Sequence, residues 1–170
     1  MAITESVAGG LRAADLGATH LLVRKPAAPA AEQFAVLAEL VARAAGPVLI
    51  RSRVDLALAA GAAGVNLPEG DIPVEAARRL LGAGRLLGRS VHSASAAAAA
   101  AAEGADFVLF GPVFETPTHR GPGVGLEALR EAVRAAGSLP VLAIGGIDRE
   151  RGAVCLAAGA AGYAAIRLFE

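Results

Sequence analysis

At the ends of its short apolar runs the chain places a set of polar residues and glycines that could do chemistry. They are Thr4 and Glu5; Arg24 and Lys25; Arg51, Ser52 and Arg53; Glu69 and Asp71; Ser90 and His92; Glu115, Thr116, Thr118, His119 and Arg120; Gly145 and Gly146; and Arg167. Cations outnumber carboxylates in this set, although the whole chain balances 16 Lys+Arg against 16 Asp+Glu. Charge sorted in that way suits an anionic ligand. The stretch Ala143-Ile144-Gly145-Gly146-Ile147-Asp148 leaves an apolar run through two glycines. Glycines let backbone approach a phosphate, and Arg167 could add a bidentate contact. An ordinary turn in which Asp148 caps the next helix gives the same pattern. The Gly/Pro-rich segment Pro112–Gly125 suits a lid. His119 within it could move a proton near neutral pH, or be a solvated loop residue. His92 directly follows Val91 and offers a second imidazole, or a packed, hydrogen-bonded one, whereas His20 opens a run and belongs to the opposite end. Asp71 with Glu69 makes only a thin site for a hard cation, because no other oxygens accompany them.

The elements that must carry these residues alternate regularly. Eight apolar runs read as strands: Ala2–Thr4, His20–Arg24, Pro47–Arg51, Gly64–Leu67, Leu86–Val91, Phe107–Val113, Val141–Gly145 and Gly162–Arg167. Between them lie helix-like stretches such as Ala31–Ala45, Pro73–Leu81, Ala94–Glu103, Leu126–Ala136 and Arg149–Ala158. Strand-helix alternation makes parallel strands with right-handed crossovers. Eight repeats predict an α/β fold, a compact (β/α)8 TIM barrel formed as one domain over residues 1–170, with the open doubly wound sheet as competitor. At 170 residues the chain falls below the roughly 250 usual for that barrel, so loops must be short. No eighth helix follows Gly162–Arg167, so the last helix is missing or minimal. A second copy of the chain could cover that flank in a homodimer, or a covering tail could have been lost. In a barrel the active site forms at the C-terminal ends of the strands, where the polar set lies. The phrases "GAAGVNL", "GADFVLF" and "GAAGYAAI" repeat a Gly before a strand, as short helix-to-strand joints require.

Composition narrows the function classes. A formal net charge of zero, with no recognition motif or aromatic stripe, argues against nucleic acid as a partner. Polar residues interrupt every apolar run before the roughly 18 to 20 residues of a membrane span. The start Met1-Ala2-Ile3-Thr4-Glu5 lacks a basic region followed by an apolar stretch, so the expected location is the cytoplasm. The one cysteine, Cys155, has no thiol partner and reads as a small core residue.

Four phrases in order, "LIRSRVDLALAAGAAGVNLPEGD", "LLGRSVHS", "GADFVLFGPVFETPTHRG" and "LPVLAIGGI", resemble the thiamine phosphate synthase and TenI superfamily, while "AIT" and "LLVRK" agree more loosely. The resemblance implies a barrel that binds a small phosphorylated thiazole. By it, Arg24, Ser90, Gly145 and Gly146 match ligand-binding positions, and the backbone of Ile166 and Arg167 matches the phosphate-binding end of strand eight. Arg51, Thr116 and Thr118 complete the expected substrate-facing set. The synthase branch joins hydroxymethylpyrimidine pyrophosphate to thiazole phosphate with magnesium. Its Asn-Asp pair reads Arg51-Ser52 here, its Gln-x-Asp reads Glu69-Gly70-Asp71, and the lysine of its Thr-x-Thr-Lys loop is replaced by His119. Only Asp71 then remains as a metal ligand. The TenI-like branch aromatises a thiazole carboxylate phosphate without metal, using a histidine at the position of Pro112. The closer similarity, in "GRSVHS" and "FGxVFET", is to the TenI-like branch. The expectation is therefore a TenI-like thiazole tautomerase of thiamine biosynthesis, an isomerase without a cofactor, in which His119 or His92 supplies the base. Thiamine phosphate synthase, a magnesium-dependent transferase, is the enzyme alternative. A catalytically silent barrel that binds a thiamine precursor and acts through a partner or as a sensor is the other.

Overall fold

The computed structural model describes residues 1–116 and 121–169. Eight strands alternate with seven helices: β1 (Ala2–Thr4), α1 (Val7–Asp15), β2 (Leu21–Val23), α2 (Ala30–Arg43), β3 (Val48–Arg51), α3 (Val54–Ala59), β4 (Gly64–Leu67), α4 (Val74–Leu81), β5 (Leu86–Val91), α5 (Ala94–Ala102), β6 (Phe107–Phe110), α6 (Gly125–Ala136), β7 (Val141–Ile144), α7 (Arg149–Ala157) and β8 (Gly162–Ala164). Every neighbouring pair from β1 to β8 is parallel, in sequence order. A parallel bridge between Ala2 and Ala165 brings the last strand back to the first. That return makes a barrel and removes the open doubly wound sheet.

Alternation along each strand divides the apolar residues between two cores. Ile3, Leu22, Leu49, Phe107, Leu109 and Ala164 fill the barrel interior. Ala2, Leu21, Val23, Val48, Ile50, Val65, Leu67, Val108 and Phe110 face outward and pack against helix residues such as Leu37, Leu40, Ala77, Ala97 and Leu129. Inside the barrel Phe107 lies against Gly88, where a Cβ would sit 2.2 Å from the ring Cζ. A strand glycine is needed there to admit the ring.

Local chemistry starts the helices where the sequence allows it. Ser6, Ser93 and Asp148 cap α1, α5 and α7 by accepting the N–H groups of Gly9, Ala96 and Arg151 at 3.1, 3.1 and 2.8 Å. Pro29 and Pro73 stand at the entrances of α2 and α4, where a missing N–H leaves no helix bond unmade. The structure differs from the sequence reading at the end of the chain. The eighth strand stops at Ala164 instead of Arg167, while the single 3-10 turn at residues Arg167–Phe169 agrees with the expected minimal last helix. No helix among the described residues is long and apolar enough to cross a membrane.

Groups outside the mouth make stability depend on pH. His20 donates to or accepts from Thr19 Oγ1 at 3.0 Å at the N-terminal end of the barrel. Burial, and then the nearby chain amino group, lower its pKa from the ordinary 6.5. The unfolded chain therefore binds more protons than the folded one as pH falls below about 6.5, and stability falls with it. Cys155 is buried in α7, as read from the sequence, and burial raises its thiol above the ordinary 9.0. The folded chain then keeps a proton that the unfolded chain loses, so stability falls again as pH rises above about 9. Burial likewise lowers the Met1 amino group from the ordinary 8.0, so melting curves followed by circular dichroism across pH 5–10 are expected to fall gradually on the acid side and again on the alkaline side. His20→Gln should flatten the acid limb, and an unaltered limb would remove His20 from that role.

Candidate active site

The C-terminal ends of β2 to β5 put four polar side chains next to one another. Arg24 lies two residues beyond Leu22, and Arg51 two beyond Leu49, so both share the inward parity of the barrel interior. Arg51 is in direct register with Asn66 of β4. Asn66 donates through Nδ2 to Ser90 Oγ at 2.9 Å, while its Oδ1 is buried with no hydrogen-bond partner. A buried carbonyl without a donor costs stability, about 1–3 kcal/mol, and a ligand donor would satisfy it. The sequence reading missed Asn66. Its signal was there, as the one amide within the apolar run Gly64–Leu67.

Arg24 and Arg51 are half-buried, yet neither has a hydrogen-bonding or ion-pair partner for its side chain among the described residues. Most other cations differ. Lys25 pairs with Glu32 at 2.9 Å, Arg53 with Asp55 at 2.5 Å and Arg78 with Asp106 at 2.6 Å. Other unpaired arginines, such as Arg12, Arg79, Arg149 and Arg167, are exposed. Burial lowers the Arg51 pKa from its ordinary value, Arg24 lowers it further, and Asp71 opposes both. The guanidinium stays charged all the same. Between β2 and β3 a shallow pocket of about 140 Å³ is lined by Lys25, Pro26, Gln33, Arg51, Ser52 and Arg53.

The backbone beside that pocket is tightly wound. Ser52 has φ 65°, and the Arg53 N–H donates to the Arg51 carbonyl at 2.8 Å across it. The Val54 N–H then donates to the Ser52 carbonyl at 3.0 Å across Arg53, whose φ and ψ are −84° and 79°. These are two consecutive γ-turns, the first in the rarer positive-φ form. A non-glycine residue held there carries strain of about 1–3 kcal/mol, which is typical of ligand sites.

His92 stands at the edge of the mouth. Its Nδ1 hydrogen-bonds the Gly111 carbonyl, and since a carbonyl only accepts, Nδ1 carries the proton. Its Nε2 then points toward Glu69 Oε2, 3.9 Å away. Across the barrel, Gly145 and Gly146 have φ of 98° and 64°. A Cβ on Gly145 would lie 2.5 Å from Pro112 Cα, and one on Gly146 would lie 2.5 Å from the Glu115 carbonyl oxygen. Both glycines are thus also required by the chain after β6, which crosses directly over them. Arg151 adds to this crossing by donating to the Gly146 carbonyl at 2.8 Å and stacking on Phe114, with 4.9 Å between Cζ and the ring centroid.

The remaining expected site residues are less closely gathered. Thr116 is half-buried at the end of the segment that follows β6. Thr118 and His119 lie outside the described residues. Ile166 and Arg167 are exposed and lie beyond β8 instead of within it, because the strand ends at Ala164.

The described residues do not fit a resident magnesium ion. No group of three or more His, Cys, Asp or Glu side chains among them is placed to hold a metal. Asp71 is half-buried with Oδ1 accepting the Ile72 N–H at 2.8 Å, and the charges that act on Arg51 are those of Arg24 and Asp71. A dication beside Asp71 would meet two guanidinium groups, and hard cations require several anionic or neutral oxygens.

Residues 3–169 match the family described as thiamine monophosphate synthase. The chain belongs to that family. It is 44% identical over 169 residues to the putative thiamine-phosphate synthase of Geobacter sulfurreducens, covering 98% of this chain and 77% of that protein. The thiamine-phosphate synthase of Methanoculleus marisnigri is 49% identical over 130 residues, 75% of this chain and 61% of its own length. Among solved structures, the thiamine phosphate pyrophosphorylase from Pyrococcus furiosus superposes with a TM-score of 0.87 at 33% identity, covering 97% of this chain and 83% of that one. The Thermotoga maritima FabK structure, at TM-score 0.80 and 19% identity, shares the fold alone.

These relatives of the thiamine monophosphate synthase family overturn the expected tautomerase. Proteins 39% to 49% identical over most of the chain carry the synthase name, that of a transferase, so neither the TenI-like branch nor an isomerase is supported. The physical reason stands at Pro112. Its ring offers no titratable atom where the tautomerase histidine would be. In this chain the "FGPVFET" segment forms the crossing over Gly145 and Gly146.

Proposed function

We propose that this chain couples hydroxymethylpyrimidine pyrophosphate to thiazole phosphate, as a transferase of thiamine biosynthesis. The observation that carries the reading is the side-by-side placement of Arg24, Arg51, Asn66 and Ser90 on β2 to β5, opposite the glycines that follow β7. The pyrophosphate goes to the two unpaired guanidinium groups, which hold planar, bidentate contacts to phosphate oxygens. The pyrimidine lies next to it, where the unsatisfied Asn66 Oδ1 accepts an N–H from its exocyclic amino group. The thiazole phosphate takes the opposite side, along Gly145, Gly146 and the backbone of Ile166 and Arg167. In the reaction the pyrimidine methylene carbon loses its bond to pyrophosphate and gains one to the thiazole nitrogen. Pyrophosphate leaves with the bonding electron pair, and positive charge moves to the ring nitrogen. Orientation of two bound halves and stabilisation of the departing anion are the main contributions open to the protein.

The test is direct. Purified protein mixed with both phosphorylated halves, with and without magnesium, is expected to release pyrophosphate and thiamine phosphate in equal amounts. Asn66→Ala should raise KM for the pyrimidine substrate by about tenfold while altering that for the thiazole little, as expected for one lost hydrogen bond. Absence of coupled product under both conditions would reject the assignment.

A further inference from the structure

We propose that this chain binds pyrophosphate without a metal ion, the guanidinium of Arg51, with Arg24 beside it, holding the anion directly. The inference rests on the proposed coupling reaction for the identity of the anion. It starts from a disagreement between the chain and its family. The resemblance implies magnesium, and the mouth offers Asp71 together with two cations.

Several independent observations point the same way. Arg24 and Arg51 are half-buried and without side-chain partners among the described residues, while Lys25 and Arg53 nearby each have a carboxylate. Two like charges held together in a half-buried place repel one another unless an anion joins them. The pocket between β2 and β3 is lined by three cationic side chains, those of Lys25, Arg51 and Arg53, and has a volume of about 140 Å³. The consecutive turns at Ser52 and Arg53 keep the chain wound against that pocket in a conformation L residues seldom adopt. A magnesium ion would supply two positive charges and a template for phosphate oxygens. Two guanidinium groups supply the same charge and fixed donor forks without ligand exchange. Asp71, whose charge acts on Arg51 in the opposite sense to that of Arg24, offsets part of the cationic charge when the anion is absent.

Isothermal titration calorimetry of the full chain with sodium pyrophosphate in EDTA tests this. Saturable binding in EDTA is expected, with no gain on replacing EDTA by magnesium. Arg51→Ala should weaken it about tenfold or more, and Arg51→Lys less, with circular dichroism confirming that both variants fold. The double variant Arg51→Asn with Ser52→Asp, which restores the pair of the synthase pattern, should make pyrophosphate binding depend on magnesium. Binding by the unaltered chain only when magnesium is present, or equal binding by Arg51→Ala, would overturn the proposal. Coupling that EDTA abolishes would overturn it and leave the proposed reaction standing. Metal-free pyrophosphate binding without coupled product would do the reverse.

Discussion

Replacing Arg24 by Ala is expected to lower kcat/KM for coupling by about 10²- to 10³-fold, the usual loss when a preorganised charge facing a developing anion is removed. The thermal midpoint should stay level or rise. In the empty protein Arg24 lowers the Arg51 pKa, so the two guanidinium groups oppose one another and one of them is better absent for folding alone. Arg24 has no side-chain partner among the described residues that its loss would orphan. Arg24→Lys should recover part of the activity, because an ammonium keeps the charge but loses the planar fork. Steady-state kinetics beside scanning calorimetry decides the matter. A fall in both activity and midpoint would make Arg24 a structural residue and remove it from the anion site.

The second large effect concerns the packing inside the barrel. Gly88→Ala places a methyl group 2.2, 2.4 and 2.7 Å from Cζ, Cε2 and Cε1 of Phe107, and should destabilise by about 2–3 kcal/mol through overpacking. Phe107→Ala empties the middle of the interior cluster beside Leu22, Leu49 and Leu109, and should cost about 3–5 kcal/mol. The two together should cost clearly less than their sum, because the new methyl occupies space the ring has left. Urea unfolding of the two single variants and the double variant measures the coupling. Strictly additive losses would mean that the two positions do not share one packing site.

The sequence made the barrel legible because its signals repeat. Runs such as "VLIR" and "FVLF" sit between Ala-rich stretches at even spacing, and parallel pairing in chain order follows from that alternation. Two helices were harder to see. The α1 sequence contains Gly9 and Gly10, which weaken a helical pattern, and α3 is only six residues long, too short for periodicity to speak. The extent of β8 was overread, since Ala165 and Ile166 continue the apolar run but the strand ends at Ala164. At the site, Arg24, Arg51 and Ser90 could be read from their place after strands. Asn66 was visible as an amide in an apolar run, but its role was not, because that depends on Ser90, which only the strand register brings within reach. Gly145 and Gly146 were read as a phosphate cradle, and their second reason, the passage of Pro112 and Glu115 above them, is a tertiary contact with no local sign. The branch was misread because "GPVFET" differs by one residue from a tautomerase phrase and that residue is the base.

The barrel also has a weak seam. Adjacent strands elsewhere share three or four register pairs, whereas β8 meets β1 through the Ala2–Ala165 bridge, where the Ile3 N–H donates to the Ala165 carbonyl at 2.9 Å, the Ala165 N–H to the Met1 carbonyl at 3.2 Å and the Met1 amino group to the Tyr163 carbonyl at 2.9 Å. Amide exchange should therefore be graded around the ring, quickest at Ile3 and Ala165 and slowest at β4 to β6, where four pairs lock each seam. Unzipping would begin at that join and lay open the flank that bears Ile166 and Arg167. A phosphate resting there would act as a stitch, tightening the closure of the whole cylinder each time the site fills.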